Sequence, residues 1–294
     1  MKDSSKGTLA IIATCFFWGC TPTVNKIGLG SIPPLLFLGI SYLIGGIIIA
    51  FVFRKKLKFI NRSIVYFSLI TSIFLSLGSI LEILGLQYIT PIKSGLLISF
   101  ETIFIPIFCF FLTRKAMEPN EVISLLCAFI GLILINHNGI SFEFNIGTLL
   151  TILAAAAFSI QTILIGNLVK KHVPILISII ELIATSIICL SFSAITERSS
   201  AAFSSASTLA VILSGVFCSG VAFSLQNYGQ KYISPLRTGI IFSTTPIFSI
   251  LVSYLVFNNV LSLLAVIGSI LIIFSIVNVN INTSKIFSFR FKKR

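Results

Sequence analysis

Apolar residues run along this chain in stretches of about twenty, and its charged residues, prolines and glycines gather mainly between those stretches. A helix of that length spans a hydrocarbon core of about 30 Å. The boundaries predict ten spans, at 7–28, 33–53, 63–88, 91–112, 119–136, 146–168, 174–195, 206–230, 235–257 and 260–279. The predicted fold class is an all-α membrane protein of about ten transmembrane helices. Connections between spans are short, so no soluble domain or sizeable catalytic loop fits in them.

Composition sharpens this reading. The chain has 294 residues, of which 56% are hydrophobic and 10% charged, with a mean hydropathy of +1.08. Soluble domains carry about 25% charged residues, so the scarcity of charge excludes a water-coated surface. Lys2 and Lys6 precede the first apolar run, but no small-residue cleavage site follows, and a retained first helix is expected. The six cysteines lie inside apolar runs without metal-type spacing and read as buried small residues.

The net charge of +13 does not form a basic face for nucleic acid. With the N-terminus inside, 18 of the 21 Lys and Arg fall in cytoplasmic segments, among them the 54–62 cluster, Arg114, Lys115, Lys170, Lys171 and Lys231. Lys26, Lys93 and Arg198 fall outside. This asymmetry predicts a multi-pass protein of the plasma (inner) membrane with both termini cytoplasmic.

The two halves of the sequence repeat. Tyr88-Ile89-Thr90-Pro91-Ile92-Lys93-Ser94-Gly95 returns as Tyr232-Ile233-Ser234-Pro235-Leu236-Arg237-Thr238-Gly239, at an offset of 144. Gly85 and Ser99 match Gly229 and Ser243 in the same frame, and Gly7-Thr8-Leu9 is echoed by Gly147-Thr148-Leu149. Residues 1–140 and 141–282 therefore read as two five-helix repeats, followed by a basic cytoplasmic tail at 283–294. Five spans is an odd number, so the second repeat enters the membrane inverted. That arrangement provides alternating access around a site near the midplane. Pro91 and Pro235 are expected at first helical turns, where a missing N–H costs least.

Phe16-Phe17-Trp18-Gly19 with Pro22 and Asn25-Lys26, and Gly85-Leu86-Gln87-Tyr88-Ile89-Thr90-Pro91 through Gly95 to Phe104-Ile105-Pro106-Ile107, resemble the drug/metabolite transporter superfamily, in its EamA-type branch. The resemblance covers essentially the whole chain. It implies a ten-helix inverted-repeat transporter of amino acids, related metabolites or amphiphiles, often an exporter. Many relatives carry a Gly-Glu pair after the fourth and ninth spans; this chain has Thr113-Arg114 and Phe257-Asn258 instead.

Ionisable residues within spans mark candidate sites, because each costs about 3 kcal/mol or more at the bilayer centre. Glu101 lies mid-span in the fourth helix and is the leading candidate for a substrate-amine partner or proton carrier; the alternative is a structural hydrogen bond. In the repeat frame it meets Thr245. Lys93 stands about 12 Å along the helix from Glu101, too far for a direct pair; it either meets an anion or snorkels to the interface. Glu82 and Glu181 lie within the third and seventh spans. Gln226, Asn227 and Gln230 bring three amides into the eighth, with Gln226 matched to Glu82. Asn25 and Gln161 add hydrogen-bonding groups to the first and sixth. Trp18, the single tryptophan, sits mid-helix, either against substrate in a central cavity or in packing.

The expectation is a secondary transporter of a small metabolite, embedded in a lipid bilayer, with no cofactor, metal or nucleic-acid partner implied and no oligomeric state specified. A membrane enzyme would need a catalytic constellation. The chain has one Asp, Asp3, and two histidines, His137 and His172, placed on opposite sides. A non-transporting scaffold would need loops for a partner.

Overall fold

The computed structural model describes residues 2–113, 117–135, 145–197, 202–257 and 263–280. His137, Arg114, Lys115, Arg198, Asn258 and the tail at 283–294, all used in the sequence reading, lie outside them.

The first half contains α1 (Lys2–Gly28), α2 (Pro34–Val52), α3 (Arg62–Gly85), α4 (Pro91–Ile98), α5 (Glu101–Thr113) and α6 (Pro119–Ile135). The second contains α7 (Ile146–Leu168), α8 (Pro174–Thr196), α9 (Ser205–Leu213), α10 (Ala222–Gln230), α11 (Pro235–Phe242), α12 (Thr245–Phe257) and α13 (Leu263–Asn280). A 3-10 turn at Arg54–Phe59 joins α2 to α3, and a π-helical stretch at Ser214–Val221 joins α9 to α10 without breaking the rod.

Among the described residues, seven helices are long and apolar enough to cross a membrane. Pro119–Leu134 and Val266–Val279 are shorter apolar helices. The fourth and ninth predicted spans each tighten mid-way, at Ser99-Phe100 and at Ser243-Thr244, where N–H groups donate to the carbonyl three residues back. These two turns occupy matching positions of the repeat.

Local sequence explains the boundaries. Pro34, Pro91, Pro174 and Pro235 open α2, α4, α8 and α11, where the ring fixes φ and no hydrogen bond is lost. The Ser/Thr exchange inside the repeated motif is a conserved cap: the Lys93 N–H donates to Thr90 Oγ1 and the Arg237 N–H to Ser234 Oγ. Asn61 and Asn145 cap α3 and α7 in the same way.

Packing shows an all-α membrane fold with a five-plus-five inverted repeat. α1 lies along α10 as α7 lies along α3, and α12 meets α1 as α5 meets α7. α2 pairs with α8, and α6 with α13, each with its own counterpart. The sequence echoes meet across this axis. Gly147 packs on Gly85, Tyr88 and Ile89; Gly7 packs on Gly229, Tyr232 and Ile233. Each half thus rests its first helix on the repeated motif of the other.

The outer surface carries large exposed apolar side chains such as Leu9, Phe51, Phe111 and Ile195, which water would not tolerate in such density but lipid does. Polar side chains turn inward: Thr14, Ser76, Glu101, Thr162, Glu181 and Gln226 are all buried.

Candidate functional site

The buried polar residues converge on a cavity between the halves. Its volume is about 90 Å³. Of the residues singled out from sequence, Trp18, Asn25, Glu82, Glu101 and Gln161 line it. Among the described residues that line it are two carboxyl groups, Glu82 and Glu101, and no Lys, Arg or His.

A tightened turn sets Glu101. The Ser99 and Phe100 N–H groups donate to the Leu96 and Leu97 carbonyls, and Glu101 follows at the start of α5. Thr162 Oγ1 donates to Glu101 Oε1 at 2.8 Å. The Thr102 hydroxyl donates to the Gly239 carbonyl at 3.0 Å, tying the start of α5 to α11 in the other half.

Behind the wall the polar chain continues. Gln161 Nε2 donates to Glu181 Oε1 at 2.8 Å, and Gln226 Nε2 approaches Gln161 Oε1 and Thr162 Oγ1, each at 3.4 Å. Gln230 Nε2 donates to the Thr162 carbonyl, and Asn227 Nδ2 to Ser178 Oγ. Glu181 therefore does not line the cavity: Gln161 stands between, and α8 turns the carboxyl toward α7 and α10. Gln226, Asn227 and Gln230 are likewise behind the wall, so α10 contributes structure there rather than cavity surface. Among the described residues, Glu181 Oε2, Gln226 Oε1, Asn227 Oδ1 and Gln230 Oε1 are buried without a donor.

Trp18 closes another side. Its ring meets Phe223 and Phe242 at centroid distances of 5.2 and 5.3 Å, and its Nε1 donates to the Cys218 carbonyl at 3.2 Å. The ring both packs and faces the cavity. Cys218 belongs to the π-helical stretch, whose wide turn also brings Ser214 to the wall, where its hydroxyl donates to Asn25 Oδ1 at 3.2 Å.

Lys93 is absent from the lining; it belongs to the first turn of α4. Lys26 is also directed elsewhere, its ammonium donating to the Leu86 carbonyl at 2.8 Å, at the end of α3. Lys26 and Lys93 are thus kept out of the acidic cavity.

Sequence reasoning missed Tyr42, Ser79 and Thr162. Tyr42 OH and Ser79 Oγ share a 2.6 Å hydrogen bond at the cavity wall. A tyrosine in the middle of the apolar run Ile40–Ile49 was the available signal, since a phenol inside a span needs a partner. Thr162 stood next to Gln161 but resembled the many threonines that bond back into their own helix.

The sequence profile of the EamA-like transporter family matches the chain twice, over residues 5–137 and 145–281. The chain is 25% identical over 276 residues to the uncharacterized transporter YoaV of Bacillus subtilis, covering 91% of this chain and 94% of that protein. It is 25% identical over 274 residues to an uncharacterized transporter of Archaeoglobus fulgidus, covering 93% and 84%. A protein of known crystal structure superimposes with a TM-score of 0.79 at 18% identity, over 96% of this chain and 99% of that one; that likeness concerns the fold.

Proposed function

Because the chain belongs to the EamA-like transporter family, we propose that it is a secondary carrier, exporting or exchanging a small amine-bearing metabolite by alternating access. The observation that carries the substrate class is the cavity wall, with Glu82 and Glu101 present and no cationic side chain. A bound ammonium supplies the missing positive charge, and the Trp18, Phe223 and Phe242 rings supply an apolar and cation-attracting flank.

In this reading residues 1–140 and 141–282 are the two moving halves, and both chain termini face the cytoplasm in the cell membrane. Glu101 binds the amine and reports its occupancy through Thr162 and Gln161 to Glu181. The tightened turns at Ser99 and Ser243 are the points where α4–α5 and α11–α12 flex to widen the cavity toward one side or the other. A proton competing for the same carboxylates couples the cycle to a proton gradient.

Exchange in liposomes tests this. Purified protein is loaded with a panel of labelled amino acids, polyamines, nucleosides and organic acids, with and without a pH gradient. Saturable exchange restricted to amine-bearing compounds supports the assignment. Exchange of organic acids alone overturns the substrate class, and no exchange by folded protein overturns the carrier.

A further inference from the structure

A second pocket, of about 570 Å³, opens where α3 and α8 begin and α7 and α10 end. Lys56, Lys170, Lys171 and Lys231 line it, together with His172 and Asn61. No carboxylate is in that lining, and among the described residues the ion pair found is Lys6 with Asp3, outside it. Four ammonium groups around one concavity repel each other unless an anion stands among them.

The repeat shows what kind of group completes the site. α2 opens at Pro34 as α8 opens at Pro174. At α2, the N–H groups of Leu35 and Leu36 donate to Glu197 Oε1 and Oε2 at 2.8 and 3.0 Å. That carboxylate follows the end of α8. At α8 the N-cap is Val173, with no capping side chain. The segment following α2, which the inverted repeat sets opposite, runs Phe53-Arg54-Lys55-Lys56. One helix start is closed by a built-in anion. Its counterpart has lysines in the same place and a dipole end that no side chain caps.

We propose that this pocket binds a phosphate group, carried either by the head group of an anionic phospholipid or by a soluble phosphate. The surroundings favour the lipid source. Phe59 and Tyr228 line the pocket and are 56% and 41% exposed, and the neighbouring Tyr66 and Phe67 of α3 are exposed too, as at a head-group boundary. A bound head group bridges Lys56 and Asn61 of the first half to Lys170, Lys171 and Lys231 of the second, so its presence holds that end of the bundle together.

Native mass spectrometry of the full chain tests this by titrating phosphatidylglycerol, phosphatidylcholine and inorganic phosphate. Phosphatidylglycerol is expected to bind more tightly than phosphatidylcholine. The triple variant Lys170→Gln, Lys171→Gln, Lys231→Gln is expected to weaken it about a hundredfold, at roughly fivefold per lysine. Lys231→Gln alone, the milder change should the triple variant not fold, is expected to cost roughly fivefold. A charge-matched control, Arg54→Gln, Lys55→Gln, Lys58→Gln, removes cations that line no part of the pocket and is expected to change little. Displacement of the lipid by inorganic phosphate supports the pocket with a soluble source; no displacement supports the lipid. Equal losses in the pocket and control variants, or a wild type that binds neither phosphate nor phosphatidylglycerol in preference to phosphatidylcholine, overturn the proposal.

Discussion

Gly147 approaches Gly85 so closely that a Cβ built on it falls 2.7 Å from the Gly85 carbonyl oxygen. No rotamer relieves that contact, because the obstacle is backbone. Gly147→Ala is expected to destabilise the protein by about 1–3 kcal/mol, with a comparable effect for Gly7→Ala, whose Cβ meets the Gly229 carbonyl at 2.9 Å. Thermal melting in nanodiscs measures both. If either variant melts with the wild type, the interlocking of first helix and repeated motif is looser than these distances indicate.

Glu101→Gln keeps the shape of the side chain and removes its charge. A hydrogen bond to a charged group contributes about 1.5–3 kcal/mol, so amine affinity is expected to fall roughly ten- to a hundredfold while the melting temperature stays close to wild type. Thr162→Val removes the hydroxyl at 2.8 Å. The double variant should then lose less than the sum of the two single losses, because the residues act through one contact.

Acidification has a definite sign. A proton on Glu82 or Glu101 discharges the carboxylate that meets the ammonium, so uptake of a permanently charged amine falls as pH is lowered. The Glu82→Gln, Glu101→Gln variant is expected to give a flat pH profile. A wild-type rate that rises on acidification would assign the carboxylates another task.

Trp18 is the single tryptophan of the chain and lines the cavity, which makes it a built-in reporter. Its emission is expected to shift saturably with transported substrate, with the same half-saturation as exchange. Trp18→Phe abolishes the signal and weakens binding while leaving the fold intact. A spectrum indifferent to substrate would place binding elsewhere.

Glu197 secures the start of α2 from 162 residues away, accepting from the Leu35 and Leu36 N–H groups and from Ser193 Oγ at 2.6 Å. Glu197→Ala is expected to cost about 1–3 kcal/mol, read as a lower melting temperature. Glu197→Gln, which retains an acceptor, should lose less.

Spans and repeat were legible because both are one-dimensional signals. A twenty-residue apolar run and a Tyr-Ile-x-Pro-x-basic-x-Gly frame need no partner to be recognised. Glu101 and Trp18 stood out for a related reason, as residue types that lipid excludes from mid-span. The Ser99 turn was hidden, since neither Pro nor Gly stands within three residues of it and serine is common in such helices; the Ser243 turn had a signal in Pro246, whose missing N–H leaves the Phe242 carbonyl without its helical partner. Glu181 appeared to be a wall residue because its depth in α8 was readable and its azimuth was not. The Glu197 cap and the Thr162 bond join residues from distant helices, and only tertiary packing brings them together.

The twofold frame of the backbone is not matched by its chemistry: Glu82 and Glu101 belong to the first half, and Gln226 and Thr245 stand at the corresponding places of the second. A molecule gripped by its ammonium end therefore has one heading in the site, whichever side is open. In the proposed cycle the same end therefore leads as the molecule enters from one side and as it leaves to the other.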